Sequence, residues 1–296
     1  MPLYGEAYMS ARELPLPDTA VLTPVLQHSA RMPVVFVGHG SPLNAIERNA
    51  WHLTWEDMGQ QLLARCGRPQ LVLCISAHWI TGASWWLTGM AQPRTIHDFG
   101  GFPRELFEQQ YPAPGAPDAV QALARFLRDP DSGAPLGVDA EQWGLDHGAW
   151  GVLKPMFPKA DLPVAQLSIA YDRPPAQHFA LGRQLAALRE RGVLIVASGN
   201  IVHNLRALRA QAGINATYTW AQEFDSRVTH ALQAQDWQSL IDFQSWGEIA
   251  ELAHPSYDHY LPLLYAIGAA GLDEAPQFFN TGFQRGAISM RSVLWG

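Results

Sequence analysis

The sequence predicts an α/β fold with a mainly parallel central sheet and helices on both faces. Two observations carry that prediction. Short, almost continuous apolar runs recur at 34–37 (VVFV), 71–76 (LVLCIS), 164–169 (VAQLSI) and 193–198 (VLIVAS), as expected of strands covered on both sides. Stretches with helical spacing of apolar residues separate them, and that alternation is the signature of a parallel sheet with crossover helices.

Taken in order, residues 1–30 read as an irregular N-terminal arm with prolines at 2, 15, 17 and 24, and residues 31–296 as one catalytic domain. The first strand ends in Gly38-His39-Gly40-Ser41-Pro42, where the glycines permit a sharp turn and Pro42 blocks further pairing. Ile46, Leu53, Met58, Leu62 and Leu63 give 43–66 a helical period. After the second strand comes a shorter one at 84–88. A Pro-, Gly- and aromatic-rich loop over 93–116 then carries one short helix. A helix follows at 117–128, then a weak Asp/Gly/Pro linker near 129–138. The strand at 164–169 leads to a helix at 175–190, and the strand at 193–198 to helices near 220–234 and 259–270. A final strand is expected at 286–294.

Composition narrows the function. With 48% hydrophobic and 16% charged residues the chain is globular. A net charge of -7 argues against a nucleic-acid surface. Two cysteines without paired spacing point to a reducing compartment, and with no signal-peptide pattern or membrane-length apolar run a cytoplasmic protein is expected. Walker, Rossmann and G-x-S-x-G motifs do not occur, so nucleotide cofactors and a serine nucleophile lack support.

The histidines are placed. His39, His78 and His203 each follow a buried strand, and in a parallel sheet those ends share the edge where open α/β folds build ligand sites. His259 begins a helix that must pack on the sheet, and His147 sits beside Gly148. Neutral imidazole is the commonest transition-metal ligand, so a metal site at that edge is the economical reading. His28, His52, His178, His230 and His254 lack flanking turns and read as surface or satisfied core residues, whereas His97 suits a pocket wall or a loop anchor equally.

In order along the chain, GHGSPLNAI, SAHWIT, TIHDFGGFP, YPAPG, DHGAWGVL, VASGNIVHNL and HYLPLLYAIGAA resemble the class III extradiol ring-cleavage dioxygenases, and within them the zinc-type 4,5-DOPA extradiol dioxygenase branch. The resemblance runs from about residue 32 to the end. It implies cleavage of a catechol, DOPA or a relative, by O2 beside its two hydroxyl-bearing carbons at a mononuclear non-haem metal. Fe(II) is implied as the catalytic ion, with Zn(II) able to occupy the same position. It also implies His39, His78 and His259 as metal ligands, His203 as a ligand or a proton-handling residue, and His147 as the general base. His97, Phe99, Phe102 and Tyr260 are expected around the substrate. Asp258 and His259 are neighbours, about 100° apart on a helix, so one ion takes only one of them. A zinc-dependent hydrolase is the alternative, using the same histidines with Asp98 or Asp146 as base. The expected partners are a small catechol and O2, with neither nucleic acid nor membrane.

Overall fold

Four strands form the centre of the sheet: β1 (Val34–Gly38), β2 (Leu71–Thr81), β5 (Val164–Ala170) and β6 (Val193–Gly199). They lie parallel in the order β5-β2-β6-β1. β3 (Trp86–Thr88) flanks β5 antiparallel and carries β4 (Gly137–Asp139). On the other side β10 (Ser292–Trp295) pairs antiparallel with β1 and carries β7 (Gln277–Phe279). The eight-stranded order is therefore β4-β3-β5-β2-β6-β1-β10-β7, the mainly parallel sheet the sequence predicts. In this computed structural model residues 18–209 and 217–296 are described.

Side-chain alternation along the strands divides the core in two. Val34 and Phe36, Leu71, Leu73 and Ile75, and Val193 and Ile195 face one layer. That layer contains α3 (Pro117–Phe126), α5 (Pro175–Leu185), α6 (Thr219–Ala234) and α9 (Leu261–Ala269). Val35 and Val37, Val72, and Leu194 and Val196 face the other layer, where α1 (Ala50–Cys66) and α4 (His147–Met156) lie. Three shorter helices complete the set among the described residues: α2 (Arg104–Phe107), α7 (Trp237–Ile241) and α8 (Glu248–Ala253).

Several boundaries differ from the sequence expectation. The helix expected over 43–66 divides into a 3-10 turn at Pro42–Ala45 and α1, because Asn49 caps a new start by accepting from His52 N–H. α4 went unanticipated because Gly148, Gly151 and Pro155 read as turn signals. The weak linker near 129–138 leads straight into β4 of the same sheet. The final strand is two short ones. β9 (Ile288–Ser289) pairs with β8 (Phe283–Gln284), and the chain then changes partner and continues as β10 against β1. Of the expected arm, residues 1–17 lie outside the described residues, while Leu22 and Leu26 are buried in the core. No helix among the described residues is long and apolar enough to cross a membrane.

Two histidines away from the sheet edge are buried core groups, His178 bonded through both ring nitrogens and His254 with its Nδ1 left without a partner. Trp85 Nε1–H donates to the Tyr265 hydroxyl (2.7 Å), which donates to His178 Nδ1 (2.8 Å); His178 Nε2–H donates to the Arg173 carbonyl (3.2 Å). His254 Nε2–H donates to the Ile201 carbonyl (2.7 Å). Burial pushes both down to about 4. The unfolded chain takes up these protons near pH 6.5, before the folded one does, so stability falls as pH drops from about 6.5 towards 4. His178→Gln should make the dependence of urea-unfolding stability on pH shallower across that window. A wild-type slope in the variant would mean that His178 titrates normally in the folded protein.

Candidate metal centre

The carboxyl ends of β1, β2 and β6 bring the histidines together. His39 leaves β1 on a turn whose next residue, Gly40, has φ +60°, a left-handed conformation that suits glycine. Its backbone N–H donates to the Gly199 carbonyl at the end of β6 (3.0 Å). His78 does not follow a terminated strand, as the sequence suggested. β2 continues to Thr81, and its register with β5 breaks between Ile75 and Ile80. His78 lies in that irregularity, a device that re-aims a side chain without ending the strand. His147 opens α4, whose N-cap Asp146 accepts from Ala149 N–H. His259 lies in the turn before α9, with its carbonyl accepting from Asn200 N–H (2.9 Å).

Each of four imidazoles has its Nδ1 engaged by a neighbour. The Ser198 hydroxyl donates to the Gly148 carbonyl (2.6 Å), so its oxygen accepts from His39 Nδ1–H (3.0 Å). Asp98 Oδ2 accepts from His147 Nδ1–H (2.9 Å) and stands 3.3 Å from His78 Nδ1, while Asp98 Oδ1 accepts from the His147 backbone N–H (2.9 Å). Asp258 Oδ2 accepts from His259 Nδ1–H (2.5 Å). For His39, His147 and His259 these hydrogen bonds put the proton on Nδ1 and leave Nε2 as a bare lone pair, and the Asp98 carboxylate near His78 Nδ1 favours the same tautomer there.

His39 Nε2 and His78 Nε2 are 3.2 Å apart, and with the proton of each ring on Nδ1 no hydrogen bond joins them. A cation between them resolves the repulsion, and ligands about 2.1 Å from a shared ion stand at such a spacing. The rings of His39, His78 and His259 form a nearly equilateral triangle, with centroid separations of 5.0, 5.1 and 4.9 Å. Burial, followed by the neighbouring imidazoles, holds His39 and His259 well below the ordinary histidine value. Burial is also the chief cause that brings His78 down to about 3 and His203 to about 4. Neutral imidazoles are the form a metal binds, so the donor set fits a transition-metal ion.

His147 and His203 are placed differently. Nitrogens of His39, His78 and His147 all come within 4.8 Å of one another, so proximity alone would group His147 with the first two. Its ring, however, lies 3.9 Å from His78 and 5.8 Å from His39, to one side of the triangle. His203 stacks face to face on His259, at 3.5 Å between centroids and 4° between planes. Parallel planes share no point, so an ion in the plane of one ring lies off the plane of the other.

Among the expected substrate contacts, Phe99 presents its ring edge-to-face to His147 at 5.4 Å and meets Phe102 at 5.5 Å. His97 packs on Phe99 and donates Nε2–H to the Gln109 carbonyl (2.9 Å), which makes it an anchor of the loop. Tyr260 does not wall a pocket. It is fully buried between Phe243 and His254, and its hydroxyl donates to the Leu240 carbonyl (3.0 Å). With His259 turned to the centre, its neighbour faces the core. Nor is either carboxylate of the hydrolase alternative free to activate a water. Asp98 is occupied by His147 and His78, and Asp146 is fully buried with bonds from Ser76, Gln166 and Trp143. Sequence reasoning missed the supporting role of Ser198, for which a serine ending a buried strand beside "GN" was the only available signal. It also missed the stacked pair Tyr171 and Tyr257 (4.6 Å), next to Asp258.

Comparison with known proteins is consistent with this geometry. Residues 25–289 match the family described as the catalytic LigB subunit of aromatic ring-opening dioxygenase. A "4,5-DOPA dioxygenase extradiol" of Escherichia coli K12 is 42% identical over 94% of this chain and 100% of its own length. One of the same description from Beta vulgaris is 33% identical over 87% of this chain and 94% of its own. The crystal structure of an uncharacterized Escherichia coli K12 protein superposes with a TM-score of 0.76 at 39% identity, covering 90% of this chain and all of that one.

Asp98 orients two imidazoles at once, and its replacement tests how far the centre depends on that. Asp98→Asn turns one carboxylate oxygen into an N–H2 group facing Nδ1–H donors. Metal affinity, measured by chelator competition, should fall by about 10–100-fold, the usual weight of such supporting contacts. Unchanged affinity would show that the imidazoles hold their tautomers without it.

Proposed function

The chain belongs to the family of the catalytic LigB subunit of aromatic ring-opening dioxygenases and is an extradiol ring-cleavage enzyme, and on that premise we propose that it opens a DOPA-like catechol. The observation that carries the site is the 3.2 Å approach of His39 Nε2 and His78 Nε2, completed into a triangle of rings by His259. We assign these three residues to the metal. Fe(II) held there supplies the redox route between catechol and O2, whereas Zn(II), with no accessible redox state, would fill the same nitrogens without it.

The remaining residues bind the substrate and move protons. His147 is the general base: Asp98 holds its Nδ1–H, so Nε2 is the nitrogen that takes a catechol proton, and the carboxylate stabilises the imidazolium that results. The same contacts, with His147 donating, hold Asp98 well below the usual carboxylate range against the opposing effect of burial, so it stays ionised for that task. His203, parallel to His259, suits a second proton-handling role better than a fourth ligand position. Phe99 offers an apolar ring edge beside His147 for the flat catechol, with Phe102 and His97 fixing it from behind. Relatives described as 4,5-DOPA dioxygenases support DOPA as the first substrate to try.

The deciding experiment is anaerobic loading with Fe(II) followed by a panel of catechols, L-DOPA included, read by O2 uptake and by yellow ring-opened product. No uptake with any catechol would overturn the substrate assignment. His39→Ala and His78→Ala should lose metal and activity together, as measured by elemental analysis. His147→Ala should keep its metal while turnover falls by about 10²–10⁴-fold, the usual range for general acid–base catalysis. A metal-free His147→Ala protein would make His147 a ligand. Phe99→Ala should weaken the apparent affinity for catechols. A change in stability alone would reduce Phe99 to a loop anchor.

A further inference from the structure

His39, His147 and His259 are buried, whereas His78, His203 and the supporting Asp98 and Asp258 are part-exposed, so those four mark where the centre meets solvent. Phe99 borders that opening from the layer of α1 and α4. In the opposite layer, that of α5 and α9, stand Tyr171 and Tyr257, their rings stacked at 4.6 Å and 14°. We propose that this tyrosine pair, with Asp258, holds the ammonium group of an amino-acid-bearing catechol and so selects the substrate by its ring substituent. The inference rests on the dioxygenase reading and adds to it the residues that read the end of the substrate remote from the metal.

Two segments fix the pair at the opening. Tyr171 is the first residue after β5, and its backbone N–H donates to the Thr81 carbonyl at the end of β2 (3.0 Å), three residues past His78. Tyr257 lies two residues before His259, on the turn that brings that histidine to the centre, and Phe243 meets its ring from the core at 6.4 Å. Burial is the chief influence on His78, His203 and Tyr171 alike, and all three also feel the Asp258 carboxylate. Asp258 thus stands within electrostatic reach of the histidines and of the tyrosines. Tyr171 and Tyr257 both remain part-exposed, whereas Tyr111, Tyr260 and Tyr265 are fully buried.

The corner has the chemistry of a cation site. The face of a tyrosine ring carries the negative end of its quadrupole and attracts an ammonium group. Asp258 gives Oδ2 to His259, keeps 14% of its side-chain surface exposed, and as a carboxylate has lone pairs for further charge-assisted bonds. A catechol that chelates a metal through two adjacent oxygens points its other ring positions away from the ion, so its substituent reaches the rim. An anionic substituent would there meet the carboxylates of Asp98 and Asp258, and a cationic one is attracted by both.

Fe(II)-loaded enzyme assayed with L-DOPA, dopamine and 3,4-dihydroxyphenylpropionate compares one ring carrying both charged groups, the ammonium alone and the carboxylate alone. The wild type should show a lower KM for L-DOPA and dopamine than for the propionate, a comparison that needs no variant. Tyr171→Leu and Tyr257→Leu should each reduce that preference several-fold at wild-type metal content. Tyr171→Phe and Tyr257→Phe, which keep the ring face, should retain it. Tyr171 lies on a different segment from the histidines, so its leucine variant carries the test if Tyr257→Leu disturbs His259. Equal KM values for the three catechols in the wild type, a preference that the leucine variants leave intact, or a rise in KM common to all three would overturn the proposal. Absence of O2 uptake by the wild-type enzyme with every catechol would instead strike the dioxygenase reading itself.

Discussion

An imidazole can aim a lone pair at a shared centre only if its other nitrogen has a reason to keep the proton. His39 has Ser198, His147 has Asp98 and His259 has Asp258, while the carboxylate of Asp98 also lies against His78. That condition organises the structure around it. Ser198 ends β6, Asp98 sits on the long aromatic loop and Asp258 on the turn into α9, so the loop and the turn owe their positions partly to the proton each receives. The cost is concentrated charge-sensitive chemistry in a buried place: protonating any one imidazole would oppose its neighbours, and burial already disfavours it.

The parallel centre of the sheet makes such a cluster possible. β1, β2 and β6 end on one side, and the backbone bonds from His39 to Gly199 and from Asn200 to His259 draw three segments into contact there. The same edge separates roles that look alike in sequence. Three rings stand about 5 Å apart in a triangle, one lies to the side on a carboxylate, and one is stacked flat on a member of the triangle. The five rings thus differ in orientation and in the partner of one nitrogen, not in residue type.

Much of this was legible in the linear chain. Apolar runs of strand length place the four central strands to within a residue or two at most ends, and glycines or asparagines after them mark where functional side chains emerge. The signals fail where local chemistry has two readings. Gly148, Gly151 and Pro155 look like a turn yet lie in α4, because the helix must approach Ser76 and His78 closely. Ser76-Ala77-His78 looks like a strand end yet lies inside β2, because a register break does the same work as a terminus. Tyr260 looks like a pocket wall because it follows His259, yet it points into the core.

By itself the sequence determined the fold class and the set of five histidines, since strand burial and the position of a side chain just past a strand are local properties of the chain. Only the tertiary structure decided how each histidine is oriented and which neighbour holds one of its nitrogens. Asp98 and His147 are 49 residues apart, and Ser198 and His39 are 159 apart. A proton's place on one ring nitrogen depends on an acceptor brought there by folding, and no local pattern encodes an acceptor that distant.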